Sequence, residues 1–225
     1  MADADLRDVD RERIAAAALA HIPFDGWSMP ALRWAAADLG LDAAAADRAF
    51  PRGAAEAIEC WSAACDRRMT AAIAAQDGAA RRIRERIAAA VRLRIEAFDG
   101  EREAVRRALT HLAHPGHGAL ATKLLYRTVD EIWHACGDTA TDFNFYTKRA
   151  LLAGVYASTL LCWLDDTSDG HVETWAFLDR RIDDVMQIPK LTARLRRGPE
   201  LPGRVFDPAR FARGVADRLR EGDRA

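Results

Sequence analysis

Apolar residues recur at steps of three and four through most of the chain, the period of amphipathic α-helices. Leu6 to Ala20 reads as a first helix. In the following HIPFDGWS, residues Pro23, Asp25 and Gly26 predict a turn from which Phe24 and Trp27 fold back as core anchors. Ser28 caps a second helix, which carries Pro30 in its first turn, presents Leu32, Trp34 and Leu39 to different sides and ends at Gly40. A short third helix, capped by Asp42, covers AAAADRAF and stops at Pro51. Longer helices follow. Residues 54–76 place Ile58, Trp61, Cys65, Met69 and Ile73 on one stripe. Ile83, Ile87, Val91 and Ile95 form another, among Arg81, Arg82, Arg84, Arg86, Arg92 and Arg94, whose face is expected to be solvated and laced with ion pairs. Helices over 101–112 and about 120–135 complete this half, the second bearing Leu124, Leu125, Val129, Ile132 and Trp133.

The stretch from Asp142 to Asp166 breaks the amphipathic pattern. It opens with a helix-start signal at Thr141 and Asp142, followed by the aromatic and charged turn Phe143, Phe145, Tyr146, Lys148, Arg149. From Ala150 to Leu164 it is nearly apolar all round, and these fifteen residues fall short of the roughly 20 that a membrane span needs. A central buried helix is therefore expected, lining an apolar cavity or a subunit interface wherever neighbouring helices leave it uncovered. Cavity candidates on it are Leu151, Leu152, Val155, Tyr156, Leu160, Trp163 and Leu164. Asp165 and Asp166 occupy its end and are expected to face water. The next helix aligns Val172, Trp175, Leu178, Ile182 and Val185 and should end at Pro189. The proline-, glycine- and arginine-rich residues 189–206 read as a linker to a last helix over 207–225. There Phe211, Val215 and Leu219 form a stripe flanked by Arg210, Arg213, Arg218 and Arg220. This tethered basic helix suits either a membrane interface or packing onto the body or a second subunit.

The fold class is thus all-α, a bundle of about nine to ten helices. Residues 1–52 form a helix-turn-helix outline, 53–188 the main helical domain, 189–206 a linker and 207–225 the terminal amphipathic helix. Duplex DNA is an unsuitable partner for that outline. The helix that would enter the major groove offers Asp42, a run of alanines, Asp47 and a single guanidinium, Arg48. Residues 1–60 hold eleven acidic against six basic side chains, which repels phosphate. The whole chain is balanced, with 33 Lys and Arg against 34 Asp and Glu. Cys60, Cys65, Cys136 and Cys162 form no CxxC pair and suit reduced thiols in a cytosol. Four aspartates in the first ten residues do not suit a signal peptide.

Catalytic patterns are missing as well. His111, His114 and His117 straddle Pro115 without a carboxylate or cysteine at metal-ligand spacing. Glu131 and His134 make one E-x-x-H where a di-iron bundle needs two, and the nucleophile-elbow, P-loop and dinucleotide motifs do not occur. No catalytic residues, metal or cofactor are assigned, and the chain is read as a non-enzyme.

The run TDFNFYTKRALLAGVY, with Trp175, Phe177, Leu178 and Arg181 after it and IPFDGWS near the start, closely resembles the Coq-nine family of ubiquinone biosynthesis accessory proteins, over about residues 14–186. The resemblance implies a fold similar to TetR-type regulators without repressor activity, and a homodimer. It implies a bound lipid, an isoprenoid quinone or a phospholipid, in an apolar cavity formed with Leu124, Leu125, Trp133 and Trp175. It further implies docking on the di-iron demethoxyubiquinone hydroxylase through Asp142, Phe145, Tyr146 and Arg149, Phe145 standing where many relatives have tryptophan. Membrane contact would fall on Arg210, Phe211, Arg213, Val215, Arg218 and Leu219, placing the protein in the cytoplasm, peripheral on the inner membrane. The function so implied is presentation of a quinone intermediate to the hydroxylase. A TetR-like regulator that senses a lipid and an enzyme of unknown chemistry in a helical bundle are the competing classes.

Overall fold

The computed structural model describes residues 2–76, 82–137 and 144–196. They contain ten α-helices and no strand. The chain divides into two compact units, residues 1–185 and 186–225. The first begins with α1 (Ala2–Ala17), a 3-10 turn, the single-turn α2 (Ile22–Asp25), α3 (Met29–Asp38) and α4 (Ala43–Ala49). Ser28 starts α3 as expected, its Oγ accepting from the Ala31 N–H at 3.3 Å. Between α3 and α4 the chain turns at Gly40, whose φ of +72° is cheap only for glycine. Within α2, Ile22 is buried whereas Phe24 is 85% exposed. The expectation that Phe24 anchors the core therefore fails, because positions two apart on a helical turn point to opposite sides. Trp27 does anchor it, donating from Nε1 to the Ala104 carbonyl at 3.0 Å.

Helix α5 (Ala54–Ala74) packs against α1, α6 (Ile83–Glu96), α7 (Arg102–Leu112) and α8 (Gly118–Ala135). Its stripe of Ile58, Trp61, Cys65 and Met69 is buried. Each such side chain contributes on the order of 1.5–3 kcal/mol by leaving water. Aromatic rings run from the N-terminal helices into this core. Trp27 meets Trp61 with centroids 5.1 Å apart, Trp61 meets Phe98 at 5.1 Å, and Phe98 meets Trp163 at 6.3 Å. The helical rows also contain buried polar groups that periodicity alone does not reveal. Arg94 is the chief correction. It belongs to the arginine-rich helix read as a solvated face, yet it is 1% exposed, because it shares the inward side of α6 with Val91 and Ile95 and meets a carboxylate there.

Helix α9 (Asn144–Asp165) packs on α8 and α6 and is buried on one side through Leu152, Val155, Tyr156, Leu160, Trp163 and Leu164. It is not buried all round within the chain. Gly154 is exposed and Leu161 is 58% exposed, since the described helices cover only the inner face. Helix α10 (Val172–Arg196) buries Leu178 and Ile182, while Val172, expected on the same stripe, is exposed in its first turn. It passes through Pro189, where the sequence predicts its end. A proline removes one i to i−4 hydrogen bond, and a helix tolerates that loss at a cost of about 3 kcal/mol. Residues 207–225, with the predicted membrane-contact side chains Arg210, Phe211, Arg213, Val215, Arg218 and Leu219, lie outside the described residues.

Asp165 faces water as expected, but Asp166 does not. It is 4% exposed and starts α10, accepting from the N–H and hydroxyl of Ser168 at 2.8 and 2.5 Å and of Thr174 at 2.8 and 2.6 Å. The Ser168 hydroxyl first, then that of Thr174, hold its carboxyl well below the usual carboxylate range. A depressed native pKa gives stability that is complete above the unfolded value of about 4 and is lost as pH falls through the native one. Asp166→Asn should therefore lower the melting temperature at pH 7, with the gap to wild type narrowing at pH 3. A gap that stays constant in thermal melts at the two pH values contradicts this role.

Candidate functional site

An apolar cavity of about 260 Å³ lies among α5 to α9. Helix α5 supplies Ile58, Trp61 and Ser62, and α6 with its following turn supplies Arg94 and Phe98. Helix α7 adds Val105, Ala108, Leu109 and Leu112, while α8 adds Ala121, Leu124, Leu125 and Thr128. Helix α9 closes the cavity with Tyr156, Ala157, Leu160 and Leu161, two adjacent pairs one turn apart. Of these four, Leu161 is the largely exposed residue and forms a rim toward solvent.

Four of the residues marked from sequence meet here: Leu124, Leu125, Tyr156 and Leu160. The others do not line it. Leu152 and Leu164 share the row of Tyr156 and Leu160 but lie one turn beyond either end of the lined stretch, and with Val155 and Trp163 they are buried in the core, while Leu151 is half-buried off the cavity. Trp133 is buried beneath Lys148, whose Nζ lies 5.5 Å from the ring centroid. Trp175 is half-buried below the Arg92 guanidinium, at 4.7 Å, and donates to the Gly170 carbonyl. Sequence reading missed the α7 wall and the polar residues Ser62, Arg94 and Thr128. A signal existed in Ser62 and Asp66, polar side chains on the apolar face of α5.

Asp66 organises that polar end. Its Oδ1 accepts from Arg94 Nε at 2.7 Å and from the Thr128 hydroxyl at 2.8 Å, and its Oδ2 accepts from Arg127 Nε at 2.9 Å. Arg94 Nη2 reaches the carbonyl and hydroxyl oxygens of Ser62, both at 3.4 Å. Its guanidinium carbon sits 4.4 Å from the Phe98 ring centroid and 6.0 Å from that of Tyr156. Burial pushes the Tyr156 phenol up to about 12, so it remains neutral at ordinary pH. Arg94 Nη1 is buried and has no hydrogen-bond acceptor among the described residues. The cavity is therefore apolar along its length and carries hydrogen-bond donors at this end.

Of the residues expected to dock a partner, the side chains of Tyr146 and Arg149 are described. Asp142 and the side chain of Phe145 lie outside the described residues. Tyr146 is 70% exposed at the start of α9. Arg149, expected beside it on the surface, is buried and bonds Asp130 Oδ1 through Nε at 2.7 Å and Nη2 at 2.6 Å, joining α9 to α8. The docking expectation for Arg149 is corrected, because its guanidinium is drawn into the α8 interface by the Asp130 carboxylate. The histidine cluster serves the end of α7, His117 Nδ1 lying 2.8 Å from the His111 carbonyl and the two rings stacking at 4.3 Å. In the N-terminal helices, Arg33 grips Asp47 with two bonds of 3.0 and 2.8 Å, and Arg48 pairs with Asp42 at 3.0 Å.

Residues 119–189, which span α8, α9 and most of α10, match the COQ9 family model. The chain is 35% identical over 185 residues to the human ubiquinone biosynthesis protein COQ9, mitochondrial, covering 79% of this chain and 58% of that protein. The rat protein of the same name is 36% identical, with 79% and 59% covered. The Drosophila melanogaster one is 29% identical over 191 residues, with 83% and 58% covered. The chain thus spans a little under three fifths of these relatives' length. Among solved structures, a TetR transcriptional regulator from Nitrosomonas europaea superposes with a TM-score of 0.63 at 21% identity, covering 79% of this chain and 98% of that one. The fold is therefore TetR-like. The residues that match the family model contribute two of the five walls of the cavity.

A larger side chain on the cavity wall should be accommodated where the same change in packed core is not. Leu160→Phe should leave the melting temperature within a few degrees of wild type, whereas Leu152→Phe should cost about 1–3 kcal/mol through overpacking. Equal destabilisation in denaturant titrations would mean that the space beside Leu160 is not available to a side chain.

Proposed function

We propose that the chain is a non-catalytic accessory protein of ubiquinone biosynthesis that binds an isoprenoid quinone intermediate and presents it to the di-iron demethoxyubiquinone hydroxylase. The observation that carries this reading is the apolar cavity with one polar end, built in part by the residues that match the COQ9 family model. The relatives' names support the pathway. At about 260 Å³ the cavity suits a head group with the first part of a tail rather than a full polyprenyl chain, and the remainder leaves past Leu161. Each methylene that leaves the bilayer for water costs about 0.8 kcal/mol, so an apolar receptor at the membrane surface lowers the barrier to delivering the head group. No described helix is long and apolar enough to cross a membrane. Association with the inner membrane through residues 207–225 is part of the proposal.

The hydroxylase docks, on this reading, at the start of α9 around Asp142, Phe145 and the exposed Tyr146, while Arg149 holds that turn against α8. The uncovered side of α9, with Gly154 and Leu161, is the surface for a second copy. The regulator alternative is disfavoured by the intramolecular pairing of Arg33 and Arg48, which leaves both guanidinium groups neutralised by carboxylates on the helix-turn-helix unit.

Mass spectrometry of an organic extract of the gently purified protein should recover an isoprenoid quinone or its biosynthetic precursor; recovery of no lipid counts against the presenter function. Tyr146→Ala should abolish co-purification with the hydroxylase without changing the circular dichroism spectrum, and unchanged co-purification sinks the docking assignment. In a low-salt gel shift the protein should not retard duplex DNA. Retardation there would revive the regulator.

A further inference from the structure

Arg94 is an unusual residue to find on the wall of an apolar cavity. A buried guanidinium has five N–H donors to place, and leaving one without an acceptor costs free energy. Three directions are filled: Nε by Asp66, Nη2 by Ser62, and the ring faces of Phe98 and Tyr156 against the cation. Nη1 is left without an acceptor among the described residues although Arg94 is 1% exposed. The same cavity wall carries the neutral Tyr156 phenol, a second possible donor.

We infer that Arg94 is the specificity-determining residue of the cavity, which takes an apolar molecule bearing a ring carbonyl whose oxygen accepts a hydrogen bond from Arg94 Nη1. The chemistry of the cluster selects a neutral acceptor. Asp66 already stands 2.7 Å from Arg94 Nε, so a ligand carboxylate on the same guanidinium would place a second buried anion close to the first. A phosphate would need several donors at once, and this wall offers one guanidinium, already engaged by Asp66 and Ser62, and a phenol. A plain hydrocarbon would fill the space and leave Nη1 unsatisfied. The polar end also fixes orientation: the ring lies inward against α5, α6 and α8, and the tail points past Leu160 to the exposed Leu161. Arg94 holds its place through Asp66, which Arg127 and Thr128 grip independently, so removing Arg94 does not strand the carboxylate.

The inference rests on the lipid-binding reading of the cavity, and the test separates the two. Calorimetric titration of the full chain would compare three probes: trimethyl-hexyl-para-benzoquinone, whose fully substituted ring thiols cannot add to, its oxygen-free counterpart trimethyl-hexylbenzene, and heptanoate. Wild type should bind the quinone about tenfold or more tighter than the hydrocarbon, the scale of one hydrogen bond to a charged donor. Arg94→Met and Arg94→Lys, the latter keeping a cation beside Asp66, should reduce that ratio to about twofold. Equal binding of quinone and hydrocarbon by wild type overturns head-group recognition and leaves the lipid cavity standing. Tighter binding of heptanoate overturns the neutral acceptor, and variants that keep the ratio overturn the assignment to Arg94. If no probe binds at all, both the inference and the cavity reading fail. The wild-type comparison stands even where a variant does not fold.

Discussion

A carboxylate with three partners, Asp66, sets the arrangement of the helices around the cavity. Removing a charge from water is favourable only where opposite charge and hydrogen bonds replace the solvent, and Asp66 obtains these from two guanidinium groups and a hydroxyl on α6 and α8. Hydrophobic contact alone lets a helix rotate or slide with little penalty. The Asp66 cluster fixes the rotation of α5, α6 and α8 together, because each must present one particular side chain at one point. The fixed rotation puts Arg94, Ser62 and Thr128 at the same end of an otherwise apolar space.

The remaining organisation follows from where α9 has to be. Its inner face packs on α8 and α6, secured by the Arg149–Asp130 pair at one end and by Trp163, against Phe98 and under Arg102, at the other. That rotation brings Tyr156 and Leu160 to the cavity and leaves Gly154 and Leu161 outside. One helix thereby carries a cavity wall, an uncovered apolar side and the exposed Tyr146 at its beginning. The three surfaces cannot move independently, which is the mechanical content of a protein that would bind a ligand on one side of a helix and a partner near its end.

The N-terminal helices have a TetR-like shape. Gly40 makes the turn between α3 and α4, and Ser28 caps α3. Arg33 and Arg48, however, are held by Asp47 and Asp42. Shape in these helices is maintained by small apolar side chains such as Ala31, Ala35, Ala36 and Ala46, all buried and indifferent to what lies outside. Fold and function separate here because the packing face and the solvent face of a helix are independent.

Hydrophobic periodicity was enough to place the helices, since burial of a 3.6-residue stripe is a local property of each segment. The same stripes identified Trp61 and Ile58 as core, the turn before α3 identified Trp27, and the fifteen-residue apolar run identified α9 as unusual. Periodicity could not rank residues within a stripe. Which part of α9 faces a cavity and which faces a neighbouring helix depends on how α7 and α8 are rotated, so Leu124, Leu125, Tyr156 and Leu160 were legible while Leu152, Val155, Trp163 and Leu164 were misplaced. Phe24 was misread because burial in a single turn depends on what stands opposite. Above all, charge on a helix defaults to solvent in a sequence reading. Only the tertiary structure brings Asp66 to Arg94, Asp130 to Arg149, and Thr174 to Asp166, because a charged side chain is buried only where a partner distant along the chain makes the loss of water tolerable.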